Sequence, residues 1–503
     1  MRPSKLLTLL ALGAAVVWTI PAHGQGYRVR IDSRYQSVAY RGVQLDSVLA
    51  SDATPGDSGG LVAPGGYAAY CPPGATYCTY YGPGAVQRGN PFATTIDGVL
   101  WGFGVTGLRF VAQARLGWDL SNPDVWPGTQ PALQLVEGYA EYNYRWITAE
   151  LGRTHVATRL GYWGFDGAKA DVRLFENRLF VEGYGGWGLA RGVSLPITSP
   201  ALNPLNDLQP LDRQSIWGGA VGWSQPGVDA RLIYQRQLDG TSKNIASEFA
   251  ALDATVRPAR GFTVTGGADY NIGEGVWGTA DLAVTLSTPN GGLSATLGGR
   301  RYRPYFSLST IWVAFSPVAY NLGYASVSYA PLWGIELWGR GEAYKYEDTE
   351  AESPNVVVEN SGYRATLGAA YKRLQGWMFR ADYYIDKGPG SRSTGFNALV
   401  SWRLMQMLQV TGDVQQLVRP LEFRFDSAEL WSYGLRFDYE TISGLRLNAG
   451  IRYYDEKRDR PDAAAFSWSH VRLNLGAMVN FGSRIAGTIH PAVLSIPEVR
   501  GSR

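Results

Sequence analysis

The chain has 503 residues, with 46 Lys and Arg against 43 Asp and Glu, and its net charge of +3 offers no polybasic surface for nucleic acid. Hydrophobic residues make up 45% of it but are spread thinly, and past the N-terminal segment no run of about 18 apolar residues exists to form a membrane-spanning helix. The 62 Gly, 30 Tyr and 17 Trp fit a wall that meets lipid on one face and water on the other better than a string of soluble domains.

In chain order, Arg2 and Lys5 precede the apolar run LLTLLALGAAVVWTI, and Ala22-His23-Gly24 offers small residues for cleavage. Residues 1–24 therefore read as a signal peptide. Residues 25–43 hold a first strand segment, YRVRIDSRY, in which Tyr27, Val29, Ile31 and Tyr35 oppose Arg28, Arg30, Asp32 and Arg34. Residues 44–91 follow as a Gly- and Pro-rich loop or plug. Within it Cys71 and Cys78 stand in YCPPGATYC, and with no His nearby a short-loop disulfide fits an exported chain better than a metal site.

From 92 to 481 the pattern is period two. LRFVAQARLGWD sets Leu108, Phe110, Ala112, Ala114, Leu116 and Trp118 against Arg109, Gln113, Arg115 and Asp119. LRLNAGIRYY repeats this near the end, with Leu445, Leu447, Ala449, Ile451 and Tyr453 opposing Arg446, Asn448 and Arg452. Connections alternate between tight ones such as QPG, RLQG and TISG and long polar ones such as SNPDVWPGTQ, EDTEAESPNVVVENSG and DEKRDRPDAA. A soluble sandwich has no reason to sort loops by side, whereas an outer-membrane barrel does. About 21 strands between Phe92 and Phe481, plus the first segment, predict an all-β, transmembrane, antiparallel up-and-down barrel of about 22 strands, within a range of 18 to 22.

The last strand reads NLGAMVNF, with Asn474, Gly476, Val479 and Phe481 in polar, glycine, apolar and aromatic positions. It resembles the C-terminal signal that the barrel assembly machinery recognises, although here a tail, residues 482–503, follows where such chains usually end. The architecture from Tyr27 to Phe481 resembles porin-like Gram-negative outer-membrane barrels. That resemblance implies an outer-membrane location amid lipid and lipopolysaccharide, trimeric assembly, inward-folded loops and passive solute diffusion.

On this reading the polar member of each alternation lines the pore: Arg109, Arg115, Glu137, Glu141, Asp171, Arg173, Arg231, Glu336, Arg340, Arg364, Arg380, Asp382, Arg436, Arg446, Arg452 and Arg472. Such residues either pair across strands and stiffen the wall or line a constriction that sorts solutes. Their near balance of sign argues against strong ion selectivity. Two long-side connections are unusually apolar, RTHVATRLGYWGFDGAK and RRYRPYFSLSTIWVAFSPVAYN. Folded inward, they would bring Arg153, Arg159, Tyr162 and Asp166, with Arg300, Arg301 and Arg303, to a constriction; the alternative is that their aromatic residues belong to an outer girdle or a subunit contact.

Catalytic signals fail on their partners. GDSGG places Ser58 in the setting of a serine-protease nucleophile, but the only preceding His is His23 in the signal peptide. Ser469 and His470 are neighbours on one strand and face opposite ways. No metal cluster, phosphate loop or haem attachment sequence occurs, so no enzyme and no cofactor is expected. The expected function is passive diffusion of small hydrophilic solutes; the alternative is a structural or export barrel that sheaths or anchors a partner.

Overall fold

The computed structural model describes residues 26–483 apart from 57–59, 65, 122–132, 190–212, 304–317, 332–333, 348–359, 373–375, 389–390, 420–427, 442–443 and 459–466. The expected signal peptide, Ser58 of GDSGG, most of the second apolar connection and nearly all of the tail lie outside the described residues.

The strands follow one another as β1 (Gly26–Leu49), β2 (Thr54–Pro55), β3 (Leu61–Ala63), β4 (Tyr67–Tyr70), β5 (Tyr77–Gly89), β6 (Pro91–Trp101), β7 (Leu108–Asp119), β8 (Leu133–Tyr144), β9 (Ile147–Thr158), β10 (Gly161–Leu174), β11 (Leu179–Gly188), β12 (Ser215–Gln225) and β13 (Val228–Leu238). They continue as β14 (Ile245–Ala259), β15 (Phe262–Asn271), β16 (Val276–Ser287), β17 (Leu293–Tyr302), β18 (Tyr320–Tyr329), β19 (Ile335–Tyr346), β20 (Ser361–Lys372), β21 (Trp377–Gly388), β22 (Ser391–Met405), β23 (Leu408–Arg419), β24 (Ala428–Glu440), β25 (Leu445–Arg458) and β26 (Trp468–Gly482).

From β6 to β26 each strand pairs antiparallel with the next. The ring closes on β1, which pairs with β26 from Arg28↔Gly482 to Ser37↔Leu473 and with β6 from Gly26↔Trp101 to Tyr35↔Phe92. The wall is thus a closed barrel of 22 strands. At about 4.8 Å between strands and a tilt of about 40°, such a ring is about 40 Å across between backbones.

The two faces invert the order of a soluble protein. Phe110, Leu151, Leu232, Leu282, Leu297, Leu367, Leu435 and Leu475 all stand exposed on the outside. Their neighbours one position along point inward and carry the charges: Arg109 beside Phe110, Arg231 beside Leu232, Asp281 beside Leu282. An outward apolar band of this extent requires lipid. The connections are sorted as the sequence predicts. At one end none exceeds the six residues from 102 to 107, while at the other they reach the 26 residues from 189 to 214.

The segment expected as a loop or plug, residues 44–91, is instead mostly strand. β1 does not stop at the wall: from Val38 to Leu49 it continues past the rim and pairs with β5, forming a ribbon to which β4, β3 and β2 are added in turn. Twelve residues at about 3.3 Å each carry it about 40 Å beyond the wall. Among the described residues, no wall strand other than β1 and its direct continuation packs broadly against it. The Cys71–Cys78 disulfide closes the turn before β5. The reason lies in continuity of pairing: β1 runs on through Leu49 with one register shift between Arg41 and Val43, and β5 supplies backbone partners once β26 and β6 are left behind. In β26, Asn474, Gly476, Val479 and Phe481 stand opposite Gln36, Arg34, Ile31 and Val29, so the strand bearing the proposed assembly signal is the one that closes the barrel.

Candidate functional site

The inner face carries paired charges around most of the ring. Arg109 bonds Glu141 on the adjacent strand at 2.6 Å, Arg231 reaches Glu182 at 2.8 Å, and Arg452 reaches Asp413 two strands away at 2.6 Å. Arg340 pairs with Glu342, while Arg364 joins Asp386 at 2.9 Å and lies 3.9 Å from Glu342. Near the turn end, Lys372 meets Glu336 and Arg446 meets Glu440. Arg380 lies 3.7 Å from Asp382, which also accepts from Asn397. These residues, with Asn448, Arg436 and Asn474, line a cavity of about 610 Å³ on the β21–β26 wall. A dry core would not tolerate this density of charge, because desolvating each ion costs several kcal/mol.

The β9–β10 hairpin departs from the cylinder. Its neighbours release it near the rim: β8 pairs with β9 only up to Gly138↔Arg153, and β11 with β10 only up to Phe165↔Gly188. Residues 154–164 form a tongue beyond both. The break coincides with Gly152, whose φ of 134° lies where only glycine is at ease. The tongue turns into the lumen because it has an apolar face that water would not accept. Val156 and Phe165, fully buried or nearly so, pack with Tyr184 and Ile216 of the neighbouring wall, and Trp163 covers them. At the tip, Leu160 lies against Ala220, Ile233 and Ala251. Burial of each large side chain contributes about 1.5–3 kcal/mol. Tyr184 donates to Oε1 of the buried Gln235 at 2.9 Å, while Gln235 Nε2 has no hydrogen-bond partner among the described residues.

Arg159, in the two-residue turn between β9 and β10, anchors the tip. Its guanidinium bonds Asp253 on β14 at 2.8 Å and Asp281 on β16, with Asp269 on β15 at 3.8 Å. From β10 to β16 is six strands, about 29 Å along the wall. A turn residue reaches that far only by crossing the interior, so the tongue lies as a chord across the β10–β16 sector, and among the described residues no other connection is seen to cross the lumen. Gly267 makes room for the contact: a Cβ there would lie 2.5 Å from Arg159 Nη1 and 2.6 Å from Asp253 Oδ1.

The residues expected at a constriction do not form one group. Arg159 enters the lumen. Arg153 and Asp166 pair at 2.7 Å where the tongue leaves the wall, and Arg213 joins them at 2.8 Å. Tyr162, half exposed, stacks on His155, and His155 pairs with Glu137 beside an irregularity in β8. Arg300 points inward over Tyr302, but Arg301 faces outward and binds Glu347 at 3.0 Å. Adjacent strand positions face opposite ways, so the two arginines cannot serve one eyelet. Arg303 lies just past β17 beside Trp277 and Arg301. Of the expected lining residues, Asp171 stands opposite Glu182 on the inner face. Arg115 and Arg173 are inward by alternation and exposed. Arg472 lies over the Tyr454 ring, and Arg436 pairs with Asp438. His470 is stacked between Tyr454 and Trp468, on the opposite face from Ser469.

Asp253, Asp269, Asp281 and Gly267 were missed by the sequence reading. A usable signal was present: ALDATV, GGADYN and TADLAV each set one carboxylate among small or apolar residues on three successive strands.

No family model matches the sequence, and no curated protein matches it. Among solved structures it is similar to a BenF-like porin from Pseudomonas fluorescens Pf-5, at 9% identity and a TM-score of 0.40, with 91% of this chain and 99% of that chain covered. It is also similar to the outer membrane protein opdK of Pseudomonas aeruginosa, at 8% identity and a TM-score of 0.39, with 91% and 99% covered. A third is OccAB2 of Acinetobacter baumannii, at 9% identity and a TM-score of 0.39, with 92% and 98% covered.

Proposed function

We propose that the protein is an outer-membrane channel for the passive diffusion of small hydrophilic solutes. The tongue carries this reading. A barrel about 40 Å wide with a charged interior is filled with water, and residues 154–164 reduce its width by crossing one sector, held by Arg159 and a buried apolar face. A sheath or conduit for a folded partner needs the width that the tongue removes, so the channel reading is preferred to the structural one. No catalytic role is assigned to any residue.

The outward apolar band sits in lipid, with the short-turn end periplasmic and the long-loop end facing lipopolysaccharide and the exterior. Export by a signal peptide, insertion by the barrel assembly machinery through the β26 signal, a trimeric state and the absence of a cofactor belong to the same proposal. The test is swelling of proteoliposomes containing the purified, folded protein in solutes of graded size. Size-dependent entry of small sugars and amino acids is expected. Exclusion of all of them by protein that is β-rich and heat-modifiable would overturn the channel reading.

A further inference from the structure

The charges of the inner wall are balanced in number but not in reach. In pair after pair the cation stands further into the water than the carboxylate it binds. Arg34 is 72% exposed against 17% for Asp32, Arg364 is 44% against 20% for Asp386, and Arg109 is 25% against 5% for Glu141. The same order holds for Arg340 with Glu342 and Arg231 with Glu182. The cause is geometric: a short carboxylate lies close to the strand, whereas the longer arginine stem carries its fork toward the axis. Two further inward arginines, Arg115 and Arg472, have no carboxylate partner among the described residues.

One sector reverses the order. Under the tongue, Arg159 is 14% exposed while Asp253 and Asp281 are 40% and 36% exposed. Carboxylates therefore face the water at Asp253 on β14 and Asp281 on β16, with Asp269 between them recessed at 16%, and guanidinium groups face it around the wider sector through β19–β21, β1 and β7.

We infer that the channel is anion-selective and that its preferred solutes are small anions, inorganic ions and short carboxylates, which pass along the open sector away from the tongue. This rests on the channel reading. Screening at physiological salt acts over about 8 Å, so a permeating ion responds to the charges at the water surface more than to counter-charges recessed behind them. Equal numbers of the two signs thus leave a positive surface along the route.

The test is the reversal potential of the purified full-length protein in a planar bilayer under a KCl gradient. The expected permeability ratio of chloride to potassium is about threefold, the effect of a potential of roughly half a kT, which enriches the anion and depletes the cation alike, and it falls as salt is raised. Combined Arg34→Gln and Arg364→Gln should move the ratio toward unity, while Arg257→Gln, at the turn end, should leave it unchanged. Current from the wild-type protein with no preference or with cation preference would overturn the inference and leave the channel reading standing. The absence of current from folded, heat-modifiable protein would overturn both.

Discussion

Two β-hairpins leave the wall at the long-loop end, and they go opposite ways. The β1–β5 ribbon runs outward, mostly exposed, with Tyr70, Tyr77 and Tyr81 more than half open to solvent and its tip closed by a disulfide. The β9–β10 tongue runs inward onto the wall, with Phe165 fully buried beneath it. Both are paired strands that have outrun their neighbours, so pairing does not decide the direction. What differs is the match to the wall. The tongue carries Val156 and Leu160, and its root Phe165, on the face that meets Ile216, Ile233 and Ala251, and its tip carries the cation that three aspartates await. The ribbon makes no such match and relies on a covalent staple.

The largest effect on this contrast should come from Phe165→Ala. Truncating a fully buried Phe costs about 3–5 kcal/mol, enough to detach the tongue while the wall remains folded. Trypsin should then cut the tongue at Arg159 in a barrel that is still heat-modifiable, whereas the wild-type tongue resists. Equal resistance of the two would mean that the apolar face does not hold it. Gly267→Ala should act less. The added methyl meets the Leu252 carbonyl oxygen of the wall as well as the Arg159 guanidinium, at a cost of about 1–3 kcal/mol, and currents should flicker between two levels instead of settling at one. Smallest of all is replacing both Cys71 and Cys78 with Ser. The staple closes a short turn outside the wall, so heat-modifiability and conductance should not change; loss of the barrel would show that the ribbon supports the wall.

The sequence made the wall legible. Alternation such as Phe110 against Arg109, and the sorting of short and long connections, lead to the strand number and to the inward charges, because a two-faced environment imprints period two on each strand. The apolar RTHVATRLGYWGFDGAK stretch leaves an inward fold and an outer girdle or subunit contact both open. Less legible was anything that depends on distant partners. Arg159 meets residues 94 and 122 positions away, and nothing local distinguishes it from Arg153, which stays at the rim. The ribbon escaped notice for a different reason: Gly, Pro and Cys near its tip signal turns, and they mask the pairing of β1 with β5. Arg301 was misplaced because a loop reading ignores parity, which already governs the strand at that point.

The most direct test of the account is the single-channel conductance of the wild-type protein beside Arg159→Ala. Loss of this anchor removes charge-assisted hydrogen bonds worth about 1.5–3 kcal/mol each before solvent screening reduces them. The account predicts steady ohmic steps for the wild type, and larger or fluctuating steps for the variant as the tongue is freed. Identical steps from the two would contradict the claim that the tongue, held by Arg159, sets the width of the pore.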